Sequence, residues 1–294
     1  MIYSDNHQKW NSCTLCGCEE LREFYPDLSI IQCKGCGFVF YGVIPSKEEI
    51  DEIYAGYSRE AYITEISKKK IYSQLEEILR LLGVNSVIDI ACGECYILNI
   101  LRDINPSLSL FGTEHKAAQQ NIIDSGFGLI EGGFFPKTKD NFDLIIFSEA
   151  IEHINDFNQF LESANNLLNN GGGLYITTPN FNSLERYILK ERWGMIAPPE
   201  HLAYFSNKTL DLVLSKHGFQ KVFLRTENIS IFRIVEFLTR HYKNSPQKSP
   251  QELSDTFQSV SSKSLPLRLA KKSVNSILGF TNLGSSIKAL YKKI

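Results

Sequence analysis

"VIDIACGECYIL", residues 87–98, reads as a buried strand that turns directly into a helix. A turn of this kind that grips a nucleotide ordinarily carries three glycines. They supply a backbone torsion other residues resist and let a ligand come close. Here the three places hold Ala91, Gly93 and Cys95. Ala91 adds only a methyl group, whereas Cys95 puts a side chain where the helix begins. A dinucleotide needs its pyrophosphate against that helix start, so the lost glycine argues against one. A cofactor without phosphate demands less.

Outward from this turn the apolar pattern alternates. Short strands are predicted at "SVIDI", "LSLFGTE", "FDLIIF" and "GLYITT", with helical stretches "YILNILRDI", "HKAAQQNIIDSG" and "NDFNQFLESANNLLNN" between them. "LDLVLSKHGFQKVFLRTENI" adds another helix and strand. Strand and helix in alternation predict a parallel sheet covered by helices. Asp89 ends the first strand, and Glu114 stands at the end of the second. A carboxylate at that second place can accept two hydrogen bonds from ribose hydroxyls. The plainer reading of Glu114 is an acid favoured by a helix dipole. S-adenosylmethionine, an adenosine joined to a sulfonium amino acid, is the cofactor this degraded turn tolerates.

The ordered segments "VIDIACGE", "LFGTE", "FDLIIFSEAIEHINDFNQFL", "LLNNGGGLYITTPN" and "PPEHLAYFSNKTLDLVLSKHGF" resemble class I S-adenosylmethionine-dependent methyltransferases over about residues 46–228. They look most like a branch with a PEHLxxFS segment. The resemblance implies a Rossmann-like, doubly wound, seven-stranded α/β sheet. It implies that Asp89, Ala91, Cys92 and Gly93 line the cofactor, with Ser148 at the same site and Glu114 on the ribose. No acidic residue stands where the family often places one near adenine, and Phe134 is the candidate to pack there.

Methyl transfer is an in-line displacement on an already activated donor. The protein must align the acceptor, exclude water and, for a hydroxyl, remove a proton. Two groups qualify. "SEAIEHI" puts Glu149, Glu152 and His153 beyond the fourth strand. "PPEHLAYF" puts Glu200 and His201 in a loop stiffened by Pro198 and Pro199. His201 is the expected base, with Glu200 fixing its tautomer or binding an acceptor hydroxyl; His153 and Glu149 come next. Trp193, Tyr204, Tyr54, Tyr57 and Tyr62 are candidate walls of an acceptor pocket, although aromatics are more often core.

Seven cysteines are present, and four form the pairs Cys13/Cys16 and Cys33/Cys36. Two Cys-x-x-Cys knuckles at this separation predict a structural zinc ribbon on two hairpins, with a full thiolate shell and Cys18 as surplus. The expected organisation is a ribbon over 1–45, a helical linker or lid over 46–83, a cofactor-binding core over 84–228 and a C-terminal helical extension with a last strand over 229–294. In the linker, Ser46 and Glu49 have capping-box spacing, and Gly83 stops the next helix.

A hydrophobic content of 43% and charged content of 22% fit an ordinary globular chain. The net charge of -2 weakly disfavours a nucleic-acid partner. The ribbon itself holds three Lys or Arg against five Asp or Glu, which disfavours RNA further. No membrane span or signal core is expected, so the cytoplasm is the expected compartment. Beyond Asp255 lie Lys263, Arg268, Lys271, Lys272, Lys288, Lys292 and Lys293. "RLAKKSVNSILGF" has the spacing of a basic amphipathic helix, with weak membrane-surface contact as the alternative to packing. Enzymes that methylate sugars on nucleotide carriers resemble this plan of ribbon, core and Glu-His pair. A small acceptor, a hydroxyl or carbon of a nucleotide sugar or surface-glycan precursor, is therefore expected. Methylation of ribosomal or transfer RNA, or a catalytically degenerate binding module, are the alternatives.

Overall fold

The computed structural model describes residues 8–55, 65–154, 156–229, 233, 234, 237 and 281–294. The N-terminal part makes strands β1 (Leu21–Tyr25), β2 (Ile30–Cys33) and β3 (Val39–Tyr41), all antiparallel. Helices α1 (Lys47–Ala55) and α2 (Glu65–Leu82) follow. Ser46 and Glu49 form the expected reciprocal cap. The Ser46 N–H donates to Glu49 Oε2 at 2.8 Å, and the Glu49 N–H to Ser46 Oγ at 3.2 Å. Gly83 ends α2 at φ +65°, a torsion that favours glycine.

The core then alternates as β4 (Ser86–Ile90), α3 (Tyr96–Ile104), β5 (Ser109–Thr113), α4 (Gln119–Asp124), β6 (Gly128–Leu129), β7 (Phe142–Ser148), α5 (Phe157–Leu167) and β8 (Leu168–Pro179). Helix α6 (Leu184–Leu189), strand β9 (Ala203–Tyr204), helix α7 (Asn207–Lys216) and strands β10 (Phe219–Glu227) and β11 (Ser286–Lys293) complete it. Seven strands form one sheet in the order β10-β11-β8-β7-β4-β5-β6. Strand β11 runs antiparallel between β10 and β8, and β8, β7, β4, β5 and β6 are parallel. Residues 87–90 are buried on both faces, which explains why the strand is a continuous apolar run broken only by Asp89. The chain leaves β4 toward one edge through β5 and β6, then returns to build the other edge through β7 and β8. The order therefore reverses between β4 and β7. The crevice outside the carboxyl ends of those two strands is where such sheets bind ligands.

Two details differ from expectation. The helix predicted through Asn170 stops at Leu167. Leu168 is extended (φ -86°, ψ 138°) and pairs with Phe142. A register shift then takes up the following residues, with Gly171 at φ +75°. The first cysteine knuckle does not sit on a hairpin of the small sheet; it is a loop leading into β1, closed by the Cys13 N–H to the Cys18 carbonyl at 2.8 Å. The expected last strand is β11, packed between β10 and β8, and Lys288 and Lys293 are tied down on it. Lys288 Nζ donates to Gln74 Oε1 and pairs with Glu227, and Lys293 Nζ donates to the Asn165 and Leu168 carbonyls. "RLAKKSVNSILGF", Tyr57 and Tyr62 lie outside the described residues. Among the described residues, no helix is long and apolar enough to cross a membrane.

The small sheet has a fourth strand from far along the chain. Val39 and Phe40 of β3 pair with Tyr204 and Ala203 of β9, giving the order β1-β2-β3-β9. Side chains reinforce the join. Phe38 packs on Phe40, Phe157 and Phe205 with ring centroids 5.2–5.7 Å apart. Cys13, Cys33, Phe38 and Phe40 belong to the same apolar cluster as the main core residues Phe147, Phe160 and Ile176.

Candidate functional site

The turn after β4 keeps the geometry of three glycines without having them. Ala91, Gly93 and Cys95 stand at φ +58°, +56° and +58°. Left-handed torsion costs a non-glycine residue about 1–2 kcal/mol, so two strained residues are held here by their surroundings. Thr113 at the end of β5 is part of the hold. Its carbonyl accepts from the Cys92 N–H at 3.0 Å and its hydroxyl from the Ala91 N–H at 3.2 Å. Glu114 supplies the rest: Oε2 accepts from the Gly93 N–H at 2.7 Å and Oε1 from the His115 N–H at 2.7 Å.

Asp89 is 2% exposed. Burial pushes its carboxyl well above the usual carboxylate range, and Cys95 and Glu114 push it the same way. A β-carbon at Gly93 would meet nothing within 4 Å, so the torsion selects glycine there and the turn opens onto free space. The Sγ atoms of Cys92 and Cys95 lie 3.8 Å apart. Their hydrogen bond raises the Cys92 thiol and lowers the Cys95 thiol. This is a third Cys-x-x-Cys spacing in the chain, legible in the sequence itself. Phe134, after β6, meets Phe147 edge-on with centroids 6.0 Å apart. Ser148 Oγ lies 2.9 Å from Thr177 Oγ1 at the end of β7.

Beyond β7 the structure brings the two expected catalytic groups together. Glu149 is exposed and holds φ +51°, with its N–H donating to the carbonyl and hydroxyl of Thr177. The turn at Ile151–His153 then lies against strands β8 and β9. The His153 and His201 rings meet edge to face with centroids 4.9 Å apart. Each ring is held by a carbonyl: His153 Nδ1 lies 2.8 Å from the Glu200 oxygen and His201 Nδ1 2.7 Å from the Met195 oxygen. The tautomer of His201 is thus set by a backbone carbonyl and not by the Glu200 side chain, against the expectation for that pair. Glu152 is buried and accepts from Thr178 Oγ1 at 2.9 Å, while its carbonyl accepts the Leu202 N–H at 2.8 Å.

Thr113, Thr178 and Asn180 were not singled out from sequence. Asn180 Nδ2 donates to the Asn282 and Gly284 carbonyls, tying the end of β8 to the chain that enters β11. Trp193 and Tyr204, offered as pocket walls, are buried with Phe181 in an apolar cluster; Tyr204 and Phe181 also line a cavity beside the small sheet, Trp193 does not, and the Tyr204 hydroxyl donates to the His201 carbonyl at 3.1 Å. The side chain of Tyr54 lies outside the described residues.

The four cysteines converge. Their sulfurs all lie within 4.8 Å of one another, with Cys13–Cys36 at 3.7 Å and Cys16–Cys33 at 3.5 Å. A tetrahedral ion with sulfur ligands at about 2.3 Å spaces them by about 3.8 Å, so the donor set fits zinc. The two knuckles repeat one geometry: Gly17 and Gly37 stand at φ +77° and +78° and donate to the Cys13 and Cys33 carbonyls. Burial opposes a thiolate at Cys33, but the Cys36 N–H and the neighbouring thiols outweigh it and bring that group to about 7. Cys18 stands apart from the set, against Gly35.

Sheet order, turn and switch point define a Rossmann-like protein built to hold a nucleoside cofactor. The chain belongs to the methyltransferase domain family, which matches residues 61–224, more than half its length; it is an S-adenosylmethionine-dependent methyltransferase. No curated protein matches it in sequence. Similar solved structures include an S-adenosylmethionine-dependent methyltransferase from Archaeoglobus fulgidus, at 16% identity over 83% of this chain and 98% of that one, TM-score 0.49. Coclaurine N-methyltransferase is similar at 12% identity over 81% and 74%, TM-score 0.50. The 4+2 cyclase SpnF is similar at 12% over 85% and 96%, TM-score 0.52. At these identities the likeness concerns the fold.

Proposed function

We propose that this methyltransferase acts on a small, sugar-linked acceptor, a hydroxyl or carbon of a nucleotide sugar or glycan precursor, and that the four cysteines hold a structural zinc. In this reading Asp89, Ala91, Cys92 and Gly93 line the S-adenosylmethionine site, with Ser148 beside them. Glu114 holds the ribose and Phe134 packs near the adenine. The observation that carries the catalytic part is the histidine pair. A carbonyl can only accept, so both Nδ1 atoms carry a proton, and in the neutral ring the basic lone pair is on Nε2. That is the form of imidazole that removes a proton from an acceptor as the methyl group arrives. Glu149 and the Glu200 side chain are assigned to orienting the acceptor.

A cavity of about 340 Å³ has lining chemistry that suits a phosphate-bearing acceptor, and none of the residues assigned above to the cofactor or to proton removal lines it. It lies between the small sheet and the core, and its lining includes Arg22, Arg186 and Lys208 with Phe24, Phe181 and Tyr187. Cations for a diphosphate and rings for a sugar face are the chemistry that a nucleotide sugar asks for. The test is methyl transfer from S-adenosylmethionine to nucleotide sugars and to the matching free sugars. His201→Ala should lower turnover about a hundredfold or more and leave cofactor affinity nearly unchanged. Transfer to free sugars at equal efficiency would remove the phosphate part of the reading, and near-normal turnover in His201→Ala would remove the base.

A further inference from the structure

Glu152, His153 and His201 have the arrangement of a ligand set. One donor atom from each lies within 4.8 Å of the others. Metal-bound histidines nearly always donate their other ring N–H to a carbonyl or carboxylate, and ligating carboxylates are themselves hydrogen-bonded. All three conditions are met here. His153 Nδ1 faces the Glu200 carbonyl, His201 Nδ1 faces the Met195 carbonyl, and Thr178 Oγ1 donates to Glu152 Oε2. The Nδ1 proton leaves Nε2 as the ligating nitrogen in both rings. Two ligands come from one turn and the third from the facing loop. The Leu202 N–H bond to the Glu152 carbonyl, at 2.8 Å, latches turn to loop, so the set is built before any ion arrives.

We propose that Glu152, His153 and His201 form a binding site for one divalent transition-metal cation at the carboxyl edge of the sheet. Two imidazoles and a carboxylate suit Mn²⁺, Fe²⁺, Co²⁺ or Zn²⁺, whereas calcium and magnesium prefer oxygen alone. Three protein ligands leave coordination positions open, unlike the closed shell of the four cysteines.

The use of such an ion rests on the reading of this edge as the acceptor site. An acceptor hydroxyl bound in an open position would lose its proton to solvent water at a lower pH than a free hydroxyl. Its oxygen would then form the new bond to the methyl carbon as the carbon–sulfur bond breaks, with that electron pair passing to sulfur. In the ion's presence His201 is a ligand, and in its absence His201 is the base.

The experiment uses the full chain with its cysteine-bound zinc retained, and Mn²⁺ as probe, because thiolates favour softer ions. Electron paramagnetic resonance reads free Mn²⁺ during titration. One equivalent should bind, and Glu152→Gln, His153→Ala and His201→Ala should each weaken binding at least tenfold, while Cys18→Ser, outside both ligand sets, should not. Near-ultraviolet circular dichroism and S-adenosylmethionine binding select the variants that fold. As a second measurement, metal analysis of the parent should find a second equivalent of zinc when Zn²⁺ replaces Mn²⁺. A parent that binds neither Mn²⁺ nor a second Zn²⁺, or folded variants that bind as the parent does, would overturn the site. If no cation binds and His201→Ala still abolishes transfer, the metal falls and the base stands. If the cation binds through these residues and His201→Ala transfers normally, the metal site stands and the acceptor reading falls.

Discussion

The Glu114 carboxylate holds the Gly93 N–H at 2.7 Å, so the residue at the end of β5 closes the turn that follows β4. Glu114 thus has two tasks in the proposed cofactor site. It shapes the turn through Gly93, and it is the acceptor for ribose hydroxyls. Glu114→Ala loses both. Each hydrogen bond to a charged group is worth about 1.5–3 kcal/mol, so binding of S-adenosylmethionine should weaken at least tenfold by calorimetry. Glu114→Gln keeps an oxygen for the Gly93 N–H and should weaken it less. Equal affinities for parent and Glu114→Ala would show the ribose assignment to be wrong.

Cys95 invites the opposite substitution. Its φ of +58° is strained for any side chain but natural for glycine. Cys95→Gly should release about 1–2 kcal/mol of strain. It also removes a fully buried thiol from the cluster of Leu98, Leu101 and Ile122 and adds about 0.5–1 kcal/mol of backbone entropy cost. These terms oppose each other, so the melting temperature should move little and cofactor affinity should not fall. Cys95→Val keeps the strain and adds branching, and should lower the melting temperature clearly. If Cys95→Gly bound the cofactor more weakly, the sulfur itself would be part of the site.

Asp89 makes stability depend on pH. Its carboxyl titrates near 3.8 in the unfolded chain and well above that when folded, chiefly because it is buried. Between those two values the folded state keeps a proton that the unfolded state has lost. Stability therefore falls as pH rises through that window. Asp89→Asn abolishes this contribution. The cofactor-free variant should melt above the parent at neutral pH, with the gap closing as pH approaches 4. A gap that is constant with pH would contradict the shift.

What could be read in advance was local. Strand β4 and helix α3 follow from a continuous apolar run and a 3.6-residue period next to recognisable turn residues. The knuckles follow from spacing alone. The α5–β8 boundary was misplaced because Leu167 and Leu168 suit helix and strand equally, and the asparagines after them decide nothing. Strands β6 and β9 have two residues each, too few for any period. The pairing of β3 with β9 and the meeting of His153 with His201 join distant parts of the chain. Only the folded sheet brings them together.

That β3–β9 pairing gives the last prediction. Cys33 and Cys36 flank the turn that enters β3, and Val39 and Phe40 pair with Tyr204 and Ala203, immediately beyond His201. The Tyr204 hydroxyl also donates to the His201 carbonyl. A zinc ion held by the cysteines would therefore stiffen the loop that carries His201, although its shell is closed to substrate. Cys33→Ser should reduce zinc bound at the cluster, while Cys18→Ser should not. In Cys33→Ser, hydrogen exchange should accelerate at residues 38–41 and 200–205 together, and little at the turn of residues 90–95, which hangs from Thr113 and Glu114. Transfer should fall because the base is misplaced, and misplacement by about an ångström can cost about a hundredfold. Affinity for S-adenosylmethionine should hold to within a few-fold. Exchange that rises in residues 38–41 alone, with 200–205 protected as in the parent, would show that the ribbon does not support the catalytic loop.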